Sequence, residues 1–140
     1  MNAQENTQVV KNAYAAFGRR DIPALLALLA EDVEWHIPGT GLPLSGTYVG
    51  PRGVANFFQK LSSEAEILEF EPRHFVAEGD RVVVLGWERS RVRASGHTVE
   101  YSWTMAMVVR DGKIVKFEEY ADTQAIAAAY GTTARAAGTV

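Results

Sequence analysis

Cysteine is absent from the 140 residues. Disulfides, thiol nucleophiles and thiolate metal sites are thereby excluded. Histidine is scarce. His36, His74 and His97 stand far apart, without the close spacing by which imidazoles share a metal, so no metal site is expected. No positive charge accumulates either: 14 basic residues face 17 acidic ones, for a net charge of −3. That leaves no electrostatic footprint for DNA or RNA. No apolar run approaches the about 18 residues of a membrane-spanning helix, so no membrane partner is expected. Met1 to Thr7 is polar and lacks the apolar stretch of a signal peptide, so the expected location is cytoplasmic. Repeats, linkers and low-complexity segments are also missing, which points to a single domain over residues 1–140.

What is present is a hydrophobic fraction of 47%, enough for a core. Val9, Val10, Ala13, Tyr14 and Phe17 recur at helical spacing, so the first helix is expected over Glu5 to Gly18, with Gly18 as its cap. Asp21 suits the N-cap of a second helix, with Ile22-Pro23 in its first turn and an apolar run to Ala30. Val33 to Ile37 alternates and stops at Pro38, as a short strand does. The stretch from Gly39 to Gly50 carries Gly39, Gly41, Gly46, Gly50 and Pro43 and is expected to be a loop. Pro51 opens a third helix whose apolar face holds Val54, Phe57, Phe58 and Leu61. Four strands follow: Ile67 to Ala77, Arg81 to Arg93, His97 to Arg110, and Lys113 to Ala121, the last two joined at the hairpin signal Asp111-Gly112. Asp122 caps a closing helix from Thr123 to Tyr130, and residues 131–140 read as a frayed tail. Helices first and a strand meander afterwards make an α+β pattern.

Several motifs occur in a recognisable order: Ala13-Tyr14-Ala15-Ala16-Phe17 ahead of Asp21, Leu28 to Trp35, the run Gly46-Thr47-Tyr48-Val49-Gly50-Pro51-Arg52-Gly53-Val54, Arg110 to Ile114, and Glu119-Tyr120-Ala121-Asp122. In these the chain resembles the nuclear transport factor two-like superfamily, of the SnoaL-like and ketosteroid-isomerase-related kind. The resemblance covers about Thr7 to Tyr130. It implies a cystatin-like curved antiparallel sheet rolled into a cone, with helices on its concave side in the order α-α-β-α-β-β-β-β-α. It implies an apolar pocket inside the cone for a small hydrophobic molecule. Relatives often dimerise through the outer sheet face, so a homodimer is implied, with Thr98, Glu100, Ser102 and Thr104 bordering the interface. The superfamily includes isomerases, epoxide hydrolases, polyketide cyclases and non-enzymatic binding proteins, so the fold leaves the activity open.

Strand alternation then selects candidates for the pocket. Between His97 and Arg110 the odd positions, among them Tyr101, Trp103 and Met105, are large and apolar, and the even ones are small or polar. The odd face is expected to line a greasy cavity or to form plain core. In the last strand Val115, Phe117 and Glu119 share one side. A carboxylate on an apolar face loses solvation unless paired, gains a raised pKa, and suits general acid or base work. In the first strand Val33, Trp35 and Ile37 share one side and Glu34 and His36 the other; His36 turned to the pocket would orient water or a substrate oxygen. In the second strand of the meander Arg89 follows Trp87 on one face. Turned inward, it would pair with Glu119.

The resemblance extends to single residues. Limonene-epoxide-hydrolase-like members place an aspartate where Glu119 stands in Glu118-Glu119-Tyr120-Ala121-Asp122. Their arginine matches Arg89, but Arg91 replaces their second carboxylate and His36 their asparagine. The acid–arginine–acid triad is broken. Ketosteroid isomerases carry one aspartate where Ile37 stands and another near Met105, and both are missing here; their oxyanion tyrosine aligns near Tyr14. SnoaL-like cyclases place an acid close to the end of the sheet, the position of Glu119. The reading favours an enzyme without cofactor (isomerase, cyclase, lyase or hydrolase). Glu119, His36 and Arg89 are its catalytic candidates, and Tyr14, Trp35, Trp87, Tyr101, Trp103, Met105 and Phe117 hold the substrate. A ligand carrier and a filled-core dimerisation domain are the alternatives.

Overall fold

A computed structural model describes residues 2–131. The first helix, α1 (Ala3–Gly18), begins at a capping box: Asn2 accepts from the Glu5 amide at 2.8 Å, and the Glu5 carboxylate accepts from the Asn2 amide at 3.1 Å. Its buried stripe is Asn6, Val9, Val10, Ala13 and Ala16. Gly18 ends the helix but does not cap it. The left-handed turn falls on Arg20, at φ 59°.

Asp21 accepts from the Ala24 amide at 3.1 Å and caps α2 (Ile22–Leu26). This helix is a single turn and a half, shorter than the apolar run suggested. Leu29 already belongs to a strand, β1 (Leu29–Ile37), because it pairs beside Ile114. Inside the glycine-rich segment expected to be pure loop, Gly46–Val49 forms β2, paired antiparallel with β1 from Ile37↔Gly46 to Glu34↔Val49. No alternation of apolar side chains marks β2; its pairing is a backbone matter, fixed by the chain's return along β1. α3 (Gly50–Glu64) follows, then β3 (Ala65–Glu78), β4 (Arg81–Val92), β5 (Thr98–Arg110), β6 (Lys113–Tyr120) and α4 (Thr123–Tyr130). Asp122 accepts from the Ala125 amide at 2.9 Å to cap α4, and Gly131 closes it at φ 88°. Beyond Gly131, the expected tail lies outside the described residues.

The sheet has six strands in the order β2-β1-β6-β5-β4-β3 and is curved and unclosed. Five strands, all antiparallel, were expected. The sixth is β2, and β1 runs parallel to β6. That parallel pair arises because the whole β3–β5 meander intervenes before β6 returns to β1. Helices α1 and α3 pack on the inner face with the buried side chains of β1, β4, β5 and β6.

Two local features decide which side chains face inward. Between β5 and β6 the pairing slips from Val108↔Lys116 to Val109↔Ile114. This bulge leaves Val115 without a register partner. Ile114, not Val115, therefore enters the core, while the alternation restarts at Phe117 and carries Glu119 inward. On β4 the residues turned inward are Val82, Val84, Gly86, Glu88, Ser90 and Val92. The sequence suggested that the bulkier face, with Trp87 and Arg89, turns in. Volume explains the reversal. β5 already supplies Trp103, Met105 and Met107 to the interior, and Gly86 lies in register with Trp103. A small-residue strand beside a large-residue one fills the same layer without overlap.

Candidate active site

Inside the curve of the sheet lies a cavity of about 140 Å³. Its walls are overwhelmingly apolar. α1 contributes Tyr14 and Phe17, β1 contributes Trp35 and Ile37, and α3 contributes Phe57 and Phe58. The segment between β1 and β2 contributes the half-buried Leu42 and Leu44. Trp35 stacks on Phe117 with ring centres 3.8 Å apart, so the β1 and β6 strands present one flat aromatic surface.

Of the residues singled out in the sequence, Tyr14, Trp35, Tyr101, Met105, Phe117 and Glu119 all line this cavity. Four others lie elsewhere. Trp103 is buried at 2% exposure, but it packs behind the wall, stacked on Phe70 at 5.0 Å and on Tyr14 at 6.1 Å. Trp87 lies on the outer face under the Arg73 guanidinium, 5.4 Å from its ring. Arg89 is on the same outer face and pairs with Glu69 at 2.9 Å, so it forms no partnership with Glu119. His36 is exposed, beside the Thr47 hydroxyl at 3.1 Å. Alternation on β1 can turn either Trp35 or His36 inward. The apolar side wins because burying Val33, Trp35 and Ile37 removes more apolar surface from water. An Arg89→Ala change is expected to cost about 1 kcal/mol or less, as exposed ion pairs do, and thermal unfolding measures it. A loss several times larger would place Arg89 in the core architecture.

From β4, two polar residues that the sequence reading did not select enter the cavity wall: Glu88 and Ser90. Glu88 is 8% exposed. The Ser90 hydroxyl donates to its Oε2 at 2.6 Å, and Tyr101, its register partner on β5, presents a hydroxyl to the same carboxyl. Burial pushes the Glu88 pKa up, and the Ser90 and Tyr101 hydroxyls oppose that shift. The available signal was the company Glu88 keeps on its strand: Val82, Val84 and Gly86 share its face.

Glu119 is in the opposite condition. No described residue donates a hydrogen bond to its carboxyl or pairs with it. Burial first, and the Glu88 charge second, push its pKa up to about 8. The Tyr14 hydroxyl donates to Met105 Sδ at 3.0 Å and is itself held well above the usual phenol range by burial and by Glu119. Glu88 and Glu119 carry the only carboxyls among the described residues lining the cavity, and no lysine, arginine or histidine joins them. No group of three or more potential ligands among the described residues is arranged to hold a metal, and no described helix is long and apolar enough to cross a membrane.

The sequence profile of the SnoaL-like domain matches residues 10–117, which is most of the chain. The chain belongs to the SnoaL-like domain family. Solved structures agree with this. A nuclear transport factor two-like protein from Burkholderia xenovorans LB400 is 46% identical, with 92% of this chain and 98% of that one covered and a TM-score of 0.85. TerC, crystallised with polyporic acid, is 31% identical over 91% of this SnoaL-like chain and 98% of its own, at a TM-score of 0.78. A candidate polyketide cyclase from Xanthomonas campestris pv. campestris is 26% identical over 89% and 95%, at a TM-score of 0.72. No curated protein matches the chain.

Proposed function

We propose that this SnoaL-like protein is an enzyme that moves protons on a small hydrophobic metabolite, with Glu119 as the proton-carrying group and no bound cofactor. One observation carries the reading: a carboxyl in an apolar cavity wall with no hydrogen-bond donor, no cation beside it and a pKa of about 8. A structural acid in such a place would be expected to have a partner, because burying it alone is costly. A pKa near the working pH lets one group both take and return a proton. The aromatic walls would hold the apolar part of the substrate, and Tyr14 and Tyr101 would contact its oxygens. The TerC structure with polyporic acid and the candidate cyclase lend support, as family members linked with small organic compounds. His36 and Arg89, on the outer face, have no part in this reading.

The chemistry most open to one acid in an apolar cavity is removal and return of a proton beside a carbonyl. It can be assayed without knowing the natural substrate. A panel of small cyclic ketones incubated with the protein in D₂O should exchange hydrogen for deuterium at the carbon next to the carbonyl, read by NMR. The Glu119→Gln variant should lose about 10²-fold or more of that rate while keeping its fold. Full exchange activity in the variant would remove Glu119 from the mechanism; no exchange above background in the wild type would overturn the enzymatic reading.

A further inference from the structure

We infer that Glu88 is the second working carboxyl of the cavity, the ionised member of a pair with Glu119, and that the pair restricts the cavity to uncharged, oxygen-bearing ligands of about one ring. The inference rests on the proposed function for the site and adds to it a division of roles and a substrate class.

Strands β4 and β6 flank β5. Glu88 on β4 and Glu119 on β6 both turn inward and line one cavity. Tyr101 of β5 is the register partner of Glu88, and both carboxyls hold its hydroxyl above the usual phenol range. Burial, with the Glu88 charge adding to it, keeps the proton on the Glu119 side of the balance, so the pair holds a single charge and one proton near neutral pH. Hydrogen bonding decides where the charge rests. Ser90 Oγ donates to Glu88 at 2.6 Å, within the about 2.5–2.7 Å of hydroxyl bonds to an ionised oxygen. The Tyr101 hydroxyl faces the same carboxyl. Glu119 receives no such donor. The charge therefore sits on Glu88 and the proton on Glu119.

α1 presents Tyr14, β5 presents Tyr101, and α4 presents Tyr130, whose hydroxyl donates to Glu64. β1, β3 and α3 present only apolar side chains to the cavity. The nearest arginines of β4, Arg89 and Arg91, are on the other face and pair with Glu69 and Glu66. No cation among the described residues offsets the Glu88 charge, so a ligand bearing its own negative charge meets repulsion. A cavity of about 140 Å³ resembles in size the engineered apolar cavity of about 150 Å³ that admits benzene.

The roles follow with protons in balance. The Glu88 carboxylate takes the proton from a carbon next to the ligand's carbonyl, and that C–H pair becomes the new C=C bond. The carbonyl π pair takes the proton of Glu119 at oxygen. The product is the enol, with Glu88 protonated and Glu119 ionised. Return of the protons, at the same carbon or at another conjugated with it, restores the pair. No oxidant or reductant is needed.

Phenol and benzoate are the probes, at about pH 6.5, where the first is neutral and the second ionised. Titration calorimetry on the full chain should show phenol binding at least tenfold tighter than benzoate. Glu88→Gln should narrow that gap by about threefold or more, because the repelling charge is gone and only the cost of desolvating benzoate is left. Ser90→Ala, which leaves Glu88 in place but removes its donor, should narrow it in part. Equal affinity for the two rings in the wild type, a gap left unchanged by Glu88→Gln, or no binding of phenol would overturn the inference. The two proposals fail separately. Ketone exchange without ring selectivity would sink the pair and leave the enzyme; ring selectivity without exchange would sink the enzyme and leave a selective binding site.

Discussion

Replacing Gly86 by alanine is expected to be the most damaging single-methyl change in the chain. Gly86 has an ordinary strand backbone, so conformational freedom is not its reason for being there; space is. A β-carbon at this position would overlap the Trp103 indole ring and come within 2.7 Å of the Glu71 carbonyl oxygen. The carbonyl is part of the β3–β4 ladder, where Pro72 pairs with Gly86, and it cannot swing aside. The indole is held by Phe70 and Tyr14, and the Tyr14 ring is also cavity wall. Overpacking of this kind costs about 3 kcal/mol, on the order of 10 °C in Tm for a domain of this size. A double variant with Trp103→Phe should recover part of the loss, since the smaller ring withdraws the overlapping atoms; the excess recovery over additivity measures the contact. If Gly86→Ala melts within 2–3 °C of the wild type (roughly 1 kcal/mol), the account of the β4–β5 layer fails.

The second large effect concerns pH. The folded chain holds the Glu119 proton up to about pH 8, against 4.5 as the ordinary value of a glutamate. Between these values the folded state keeps a proton that the unfolded state has released. Stability is fully present below about pH 4.5, falls as pH rises through the window, and levels off above about 8. Glu88, also raised, acts in the same direction. The loss attributable to Glu119 is roughly 5 kcal/mol. Other groups titrate over the same range, so the informative quantity is the difference from Glu119→Gln, which cannot ionise. The variant should melt close to the wild type at pH 5 and on the order of 10 °C above it at pH 9. Parallel curves for the two proteins from pH 5 to pH 9 would mean that the Glu119 carboxyl is not desolvated when the chain folds.

These expectations touch residues of unequal legibility. Glu119 could be found from the sequence because it follows Phe117 at strand spacing, and a carboxylate on an apolar face is an anomaly at the level of pattern. Tyr101 and Met105 could be found because β5 is lopsided, bulky on one side and small on the other. Glu88 escaped because β4 is lopsided in the misleading direction. Its outward residues, Leu85 and Trp87 among them, are larger than its inward ones, and only the presence of Trp103 across the ladder explains why. Arg89 and Trp87 were misplaced for the same reason. The β6 bulge was invisible for another: Val115 and Ile114 are equally apolar, and a slip of one residue leaves no mark in composition.

The sequence by itself determined the order of the helices and most of the strands, the capping residues Asp21 and Asp122, and which side chains share a face along β1, β4 and β5. Those properties depend on neighbours in the chain, within one turn or one pleat. Only the tertiary structure decided which face of β4 turns inward, that β2 joins the sheet beside β1, and that two carboxyls meet in one cavity. Glu88 and Glu119 come from strands separated by β5 and are brought together by the curvature of the sheet. Which face is buried depends on the volume that the adjacent strands and helices leave to be filled, and that volume is not a property of any one strand.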